Sequence, residues 1–176
     1  MAKKSIVARD AKRKKMILKV VPVNADWQIE ESVFKLFLNE RTKIISLVHG
    51  SNVVGTILPV DELIKESRFT NAFVIVDAAQ TVGHIPVSFK SCDVDALFFS
   101  GHKMCGPTGV GALILKEKWI QTFVPPYGGG GTVSSVSEDK TFFLENNKKF
   151  EAGTPPIAEV IGLGAAIDYL AINTSE

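Results

Sequence analysis

The sequence predicts an α/β fold in which a mixed, mostly parallel sheet is flanked by helices. Two features predict it: short runs of consecutive apolar residues, and amphipathic segments that alternate with them along the chain. Continuous apolar runs are typical of strands buried inside a sheet whose faces are covered by helices. The chain has 176 residues, of which 45% are hydrophobic and 22% charged, and this composition fits one globular domain.

The predicted elements follow from these patterns in chain order. The apolar runs predict strands at 17–23, 43–49, 72–77, 95–100 and 109–116. Helical periodicity predicts helices at 29–40, 59–69 and 157–173. In the first helix one face carries the apolar side chains Ile29, Val33, Phe34, Phe37 and Leu38.

One connection departs from the parallel pattern. About nine residues separate Ser100 from Val110. A helical crossover between parallel strands needs a dozen residues or more, so the last two predicted strands are expected to be antiparallel neighbours.

Polar residues follow three of the predicted strands, in the segments HGSN (49–52), DAAQ (77–80) and SGHK (100–103). Ligands of open α/β sheets bind beyond the carboxyl ends of the strands. The sequence therefore predicts that one rim gathers His49, Asn52, Asp77, Gln80, Ser100, His102 and Lys103.

Taken singly, these residues have ordinary explanations, since Asp is common in turns and Lys is usually solvated. Together they fit pyridoxal 5′-phosphate (PLP). The apolar run that precedes SGHK is expected to lower the pKa of the lysine next to it. A lower pKa favours the neutral amine that attacks a carbonyl. A carboxylate at a neighbouring strand end suits a pyridinium nitrogen, and nearby hydroxyl, imidazole and backbone N–H groups suit a phosphate.

The chain from about Leu18 to Ala171 resembles the class V aminotransferase family, most closely its group II cysteine desulfurase and selenocysteine lyase branch. The segments that carry the resemblance are RTKIISLVHGSNVVGTILPVDEL, VIVDAAQTVGHIPV, DVDALFFSGHKMCGPTGVGALILKE, PPYGGGG and KFEAGTPP. The resemblance implies part of the large domain of PLP-dependent transferases of fold type I.

The resemblance also implies roles around the cofactor ring. Lys103 matches the lysine that forms the Schiff base with PLP, and it is the expected catalytic residue. Asp77 matches the partner of the pyridine nitrogen, and Gln80 matches the residue at the phenolic oxygen.

Further implied roles concern the phosphate and the substrate. Ser100 and His102 match phosphate-binding residues, and Asn52 matches an asparagine near the substrate carboxylate. Thr154 matches a threonine that reaches the partner subunit's phosphate in the family's dimer. Pro156 stands where the family has asparagine, which weakens the expected phosphate contact there.

The function implied by the resemblance is PLP-dependent removal of sulfur or selenium from L-cysteine or L-selenocysteine. The product is alanine, and the sulfur supplies iron–sulfur cluster assembly. A homodimer is expected by family, and a scaffold protein is a candidate sulfur acceptor. Two alternatives stay open: a non-catalytic remnant of the family, or an RNA-associated protein.

The chain departs from the family in what it contains. The family's ring-stacking histidine and Gly-Thr phosphate loop map upstream of Leu18. Its sulfur-accepting cysteine and carboxylate-binding arginine belong to a C-terminal small domain. We therefore expect a partial enzyme that releases no sulfide as this chain alone.

Two cysteines, Cys92 and Cys105, form no CxxC pair, so neither a disulfide framework nor a metal site is expected. This cysteine usage favours a reducing compartment, cytoplasm or organelle stroma. Cys105 is two residues from Lys103, where a thiol could be polarised, although a structural role is the preferred interpretation. His49 is interpreted as a hydrogen-bonded turn residue.

The N-terminal 16 residues differ from the rest. They hold seven Lys or Arg residues and one Asp, a charge of +6 in a chain of net charge +1. We predict a basic head, foreign or flexible, at 1–16 and the PLP-binding domain at 17–176. Such a head sometimes contacts nucleic acid, but nucleic acid is not the expected partner. The apolar runs are too short for a membrane span.

Overall fold

The computed structural model describes residues 16–173, and a four-stranded sheet organises them. Its strands are β1 (Ile44–Val48), β2 (Phe73–Asp77), β3 (Ala96–Ser100) and β4 (Gly111–Leu115), in the spatial order β1-β2-β3-β4. The first three strands are parallel, and β4 is antiparallel to β3. The predicted mixed, mostly parallel sheet is confirmed, and so is the antiparallel neighbour that the short connection indicated.

Within residues 16–173, four α-helices accompany the sheet: α1 (Glu31–Leu36), α2 (Val60–Ser67), α3 (Glu117–Thr122) and α4 (Ile157–Asn173). Helix α1 is shorter than predicted, but its apolar face is confirmed. Phe34 is 2% exposed, and Ile29, Val33, Phe37 and Leu38 are partly buried. By contrast, Leu36 on the opposite face is 80% exposed.

The core lies between helices α1 and α2 and one face of the sheet. Helix α2 contributes Val60, Leu63 and Ile64, and Phe34 of α1 packs into the same cluster. The cluster continues into the strands with Ile45, Leu47, Val74, Val76 and Leu97. Burial of this apolar surface anchors the three parallel strands, whose carboxyl ends carry the polar segments.

The predicted strand at 17–23 is wrong. This segment pairs with no strand of the described sheet, and Ile17 and Val20 are 82% and 49% exposed. Pro22 lacks the N–H that a ladder needs, and β1 pairs only with β2. An apolar run becomes a strand only where a neighbour offers hydrogen bonds.

Coverage of both sheet faces is also incomplete within the described residues. In β1, Ile45 and Leu47 are buried, whereas Ile44 and Val48 are 58% and 39% exposed. Strand β1 therefore alternates between a core face and an open face, as an edge strand covered on one side does.

One helix and one hairpin were not predicted. Helix α3 follows β4 directly, and its Trp119 packs with Phe73 and Phe123 in an aromatic cluster. A separate hairpin joins β5 (Val133–Val136) and β6 (Thr141–Phe143). The glycine run before it, 128–131, is linked to a later segment by the Gly153 N–H, which donates to the Gly130 carbonyl at 2.9 Å.

An ion cluster holds the amino edge of the sheet, opposite the polar segments. Asp95, 1% exposed, accepts from the Val74 N–H at 3.0 Å and lies 3.4 Å from the Arg68 guanidinium. Lys116 and Lys118, which follow β4, approach the same carboxylate at 3.7 and 3.2 Å. The cluster thereby ties the end of the antiparallel strand to β2 and β3.

Helix α4 has the bounds that the sequence predicts, but it is only partly packed. Leu163 and Ala166 are buried, while Ile157, Ile161 and Ile172 are 60%, 69% and 78% exposed. Among the described helices, none combines the length and apolar character that a membrane crossing requires. Most of the predicted basic head, residues 1–15, lies outside the described residues.

Candidate active site

The three polar segments predicted to form a rim leave the sheet at one edge. Val48 pairs with Asp77, and Asp77 pairs with Phe98, so β1 and β2 end level with each other and β3 extends two residues further. The His49 N–H donates to the Asp77 carbonyl at 2.9 Å, and the Ala78 N–H donates to the Phe98 carbonyl at 3.0 Å. The ladder therefore continues into the polar segments and brings them together.

Asp77 ends the central strand of this edge and is only 5% exposed. Its Oδ1 accepts from the Ala79 N–H at 3.1 Å. A carboxylate withdrawn from water needs hydrogen bonds and an opposite charge to remain ionised. A protonated pyridine nitrogen can donate a hydrogen bond to a carboxylate in this position, so the position is compatible with the ring of PLP.

Lys103 ends a short 3₁₀ turn, Gly101–Lys103, that begins where β3 stops, and it is partly buried. Gly83, from the segment after Asp77, lies against its backbone. A Cβ at position 83 would stand 2.9 Å from the Lys103 carbonyl oxygen and 2.8 Å from the Met104 Cα. The segment that begins with Asp77 therefore packs directly on the turn that carries the lysine.

The glycines around Lys103 explain why the lysine sits in such a sequence. The N–H groups of Met104 and Gly106 both donate to the Gly101 carbonyl at 3.0 Å. A Cβ at 106 would stand 2.9 Å from that same oxygen, and one at 101 would stand 3.0 Å from the Val110 carbonyl. Only a backbone without Cβ atoms at these positions folds back this tightly, and the fold holds Lys103 at the sheet edge.

The remaining predicted site residues are more open. Ser100 and Gln80 are partly buried, and His102 is exposed. Asn52 is exposed on the loop after β1, which is closed by the Ser51 N–H donating to the Thr56 carbonyl at 2.9 Å. Thr154 is exposed on the link before α4, away from the strand ends in sequence and on a different segment.

Two residues that the sequence analysis did not single out support this edge. Gly83 allows the close approach described above, and Thr81 is 2% exposed with its Oγ1 3.0 Å from Nδ1 of His49. His49 is 9% exposed and is hydrogen-bonded, as the sequence interpretation held. The sequence feature that could have identified Thr81 and Gly83 is their position in the three residues after the DAAQ segment.

The two cysteines are free and differ in environment. Cys92 is partly buried, and burial, together with the nearby Asp61 carboxylate, raises the pKa of the thiol to about 11. Cys105 is exposed and has a left-handed backbone, with φ of 61°. Within residues 16–173, no group of three or more His, Cys, Asp or Glu side chains is arranged to hold a metal ion.

Fold and site together define a class: an α/β domain with a buried carboxylate, Asp77, at the end of one strand and a partly buried lysine, Lys103, in the turn after the next. The family model for aminotransferase class-V matches residues 2–176. The chain therefore belongs to the class V aminotransferase family, whose members are PLP-dependent enzymes.

Similar proteins carry consistent names. The chain is 42% identical over 154 residues to a probable cysteine desulfurase of Synechocystis sp., covering 88% of this chain and 37% of that protein. It is 40% identical over 154 residues to a cysteine desulfurase of Escherichia coli K12, covering 87% and 38%. The chain thus spans about two fifths of the length of these relatives.

Solved structures give the same result for the fold. A cysteine desulfurase from Escherichia coli matches with a TM-score of 0.87 and 35% identity, covering 92% of this chain and 40% of that one. The apo cysteine desulfurase from Thermococcus onnurineus NA1 matches with a TM-score of 0.88 and 38% identity, covering 93% and 41%. The predicted partial large domain of a PLP-dependent transferase is confirmed.

Proposed function

We propose that this chain is the PLP-binding core of a cysteine desulfurase. The observation that carries the proposal is the close packing of the segment after Asp77 on the turn that carries Lys103. Each of these residues has an ordinary explanation alone. A buried carboxylate and a partly buried lysine on adjoining strand ends are what an aldehyde cofactor with a basic ring nitrogen needs.

In this proposal each residue keeps the role implied by the family resemblance. Lys103 binds the cofactor aldehyde, and Asp77 holds a proton on the ring nitrogen. When bound, PLP supplies an electron sink for charge that develops on the substrate. Gln80 hydrogen-bonds the phenolic oxygen, and its partial burial keeps that bond away from bulk water.

The outer residues complete the proposed site. Ser100 and His102 bind the phosphate, and Asn52 orients the substrate from its exposed loop. Thr154 reaches the phosphate held by a second subunit, which agrees with its exposed position on a separate segment. Residues 17–176 contribute this site, and the basic segment 1–16 precedes them in the sequence.

The proposed reaction removes sulfur or selenium from L-cysteine or L-selenocysteine and leaves alanine. The relatives named cysteine desulfurase support cysteine as the substrate. The enzyme would act as a homodimer, pass sulfur to a scaffold protein for iron–sulfur cluster assembly, and work in cytoplasm or organelle stroma. Because the family's sulfur-accepting cysteine belongs to a small domain, we expect no sulfide release from residues 1–176 alone.

PLP binding tests the proposal. The chain is incubated with PLP and reduced with borohydride, and the modified lysine is identified by peptide mass spectrometry. We expect one PLP per chain on Lys103, with Asp77→Asn weakening the visible absorbance of bound PLP. Lys103→Ala should abolish specific labelling, whereas Lys65→Ala, which removes an exposed lysine of α2, should not.

Two outcomes would overturn the proposal. One is labelling spread over the exposed lysines with no preference for Lys103. The other is an absorbance spectrum that Lys103→Ala leaves unchanged. Sulfide release from cysteine by the purified chain would contradict the expected dependence on a small-domain cysteine, and it would do so without affecting the PLP assignment.

A further inference from the structure

A buried histidine–threonine pair crosses from β1 to β2 at the candidate active site. Nδ1 of His49 lies 3.0 Å from Oγ1 of Thr81, and the two residues are 9% and 2% exposed. His49 comes three residues before Asn52, and Thr81 follows Gln80 directly. The pair is thus the side-chain link between the loop that carries Asn52 and the turn that carries Gln80.

The hydrogen bonds of the pair form a directed chain. The Thr81 hydroxyl also donates to the Ala78 carbonyl at 3.2 Å. A hydroxyl has one proton to donate, so both contacts are satisfied when Nδ1–H of His49 donates to Oγ1 and Oγ1–H donates to Ala78. Burial lowers the pKa of His49, partly offset by Asp61, and the ring is therefore neutral at pH 7.

Backbone contacts also restrain the segments that the His49–Thr81 pair joins. The His49 N–H donates to the Asp77 carbonyl, and the Leu58 N–H donates to the His49 carbonyl, both at 2.9 Å. A Cβ at Gly50 would stand 2.7 Å from the Thr81 methyl carbon. The loop after β1 is therefore pinned to the turn after β2 at its first two residues.

We propose that His49 and Thr81 are positioning residues of the PLP site. Their hydrogen bond sets the distance of the Asn52 loop from the turn that holds Asp77 and Gln80. The inference rests on the proposed function, since it concerns the same site, but it gives the His49–Thr81 pair a role that neither the rim pattern nor the family resemblance assigns. The pair acts through the segments that it joins.

A packing role is the competing explanation, and side-chain chemistry separates the two. Thr81→Val keeps the methyl group that meets Gly50 and removes the hydroxyl. Thr81→Ser does the opposite, because it keeps the hydroxyl and removes the methyl. A positioning hydrogen bond is lost in the valine variant and rescued in the serine variant, whereas a packing role gives the reverse order.

The experiment measures PLP affinity and amide hydrogen exchange on the full chain. Thr81→Val should weaken PLP binding by about fivefold to tenfold, the value of one net hydrogen bond, and Thr81→Ser should remain near wild type. In the absence of PLP, Thr81→Val should speed exchange in residues 50–56 and 78–84 together. His49→Phe should match Thr81→Val, and the double variant should be no worse than either single variant.

Thr70→Val is the matched control. Thr70 is also a buried threonine, 5% exposed, whose hydroxyl donates to a backbone carbonyl, that of Ser67, at 2.7 Å. It precedes β2 at the opposite edge of the sheet. Its loss should lower the melting temperature without changing PLP affinity relative to the folded fraction.

The outcomes separate this inference from the proposed function. A wild-type chain that binds PLP, beside a Thr81→Val chain of equal affinity and unchanged exchange, overturns the positioning role alone. A serine variant that is weaker than the valine variant also overturns it, in favour of packing. A wild-type chain that does not bind PLP overturns the proposed function and the positioning role with it.

Discussion

Gly83 and Lys103 are in contact through their backbones: a Cβ at position 83 would stand 2.9 Å from the Lys103 carbonyl oxygen. The two residues belong to different segments, one after β2 and one after β3. Their contact joins the carboxylate side of the candidate site to its lysine side. The spacing between Asp77 and Lys103 therefore depends on a residue with no side chain.

Gly83→Ala should destabilise the fold and weaken PLP binding. The added methyl group meets backbone atoms, including the Met104 Cα at 2.8 Å, and backbone moves less easily than a side-chain end. We expect a loss of about 1–3 kcal/mol in the free energy of unfolding, the usual cost of overpacking. Denaturant titration measures it.

The control for this prediction is Gly130→Ala, where no atom lies within 4 Å of the added Cβ. Its free energy of unfolding should change by less than about 1 kcal/mol. Equal stability of the two variants would show that the turn after β2 does not pack on Lys103 in solution.

Asp95→Asn should remove the part of the free energy of unfolding that depends on ionisation of this carboxylate and therefore on pH. Burial by itself would raise the pKa of Asp95. The Trp119 indole, the Val74 N–H and Lys118 together outweigh burial and lower the pKa from 3.8 to about 2. A lowered carboxyl pKa stabilises the fold above pH 3.8, and the benefit is lost as the pH falls through about 2. The gain at neutral pH is on the order of 2 kcal/mol.

The measurement is the difference in unfolding free energy between wild type and Asp95→Asn at several pH values. The difference should be largest above pH 4 and shrink as the pH falls toward 2. Asp139→Asn, which changes an exposed carboxylate in the hairpin turn, should show no such trend. A difference that does not vary with pH would mean that Asp95 stabilises the fold through packing and hydrogen bonding rather than through its charge.

The two thiols should differ sharply in reactivity. Burial and the nearby Asp61 carboxylate hold the pKa of Cys92 at about 11, so little thiolate exists there at pH 8. Cys105 is exposed. Iodoacetamide at pH 8 should therefore label Cys105 first, with Cys92 modified only after unfolding.

Mass spectrometry of labelled peptides checks this order, and Cys105→Ser should leave a chain that reacts slowly until denatured. Equal labelling rates at both positions would contradict the packing of Cys92 against Asp61. Conversion of Cys105 does not touch the proposed PLP contacts, so PLP binding should persist in Cys105→Ser.

Helix α4 should drive self-association of this chain. Ile157 and Ile161 lie one turn apart and are 60% and 69% exposed. Exposed apolar patches favour association because each contact removes apolar surface from water. Ile161→Lys should weaken association several-fold in sedimentation velocity runs at increasing concentration.

Leu36→Lys is the comparison, because Leu36 is 80% exposed beside the charged residues Glu31 and Lys35 of α1. It should leave association nearly unchanged. A chain that stays monomeric at all concentrations, with α4 intact, would contradict the prediction.

Several elements could be predicted from the sequence because their signals are local. The apolar periodicity of 157–173 gave the bounds of α4, and the pattern of Phe34 and its neighbours gave the buried face of α1. The nine-residue connection after Ser100 excluded a crossover and thus placed β4 antiparallel. The rim segments were also predictable, since strand ends in a parallel sheet share an edge.

Other features depend on contacts between segments distant in sequence. The run at 17–23 has the composition of a strand, but a strand also requires pairing with a neighbour, and this run pairs with no strand of the described sheet. The burial of Asp77 and the contact of Gly83 with Lys103 arise from how the loops fold back on the sheet. Local patterns determined which residues reach the edge, and only tertiary packing decided how closely they meet, because close approach depends on the atoms of both segments at once.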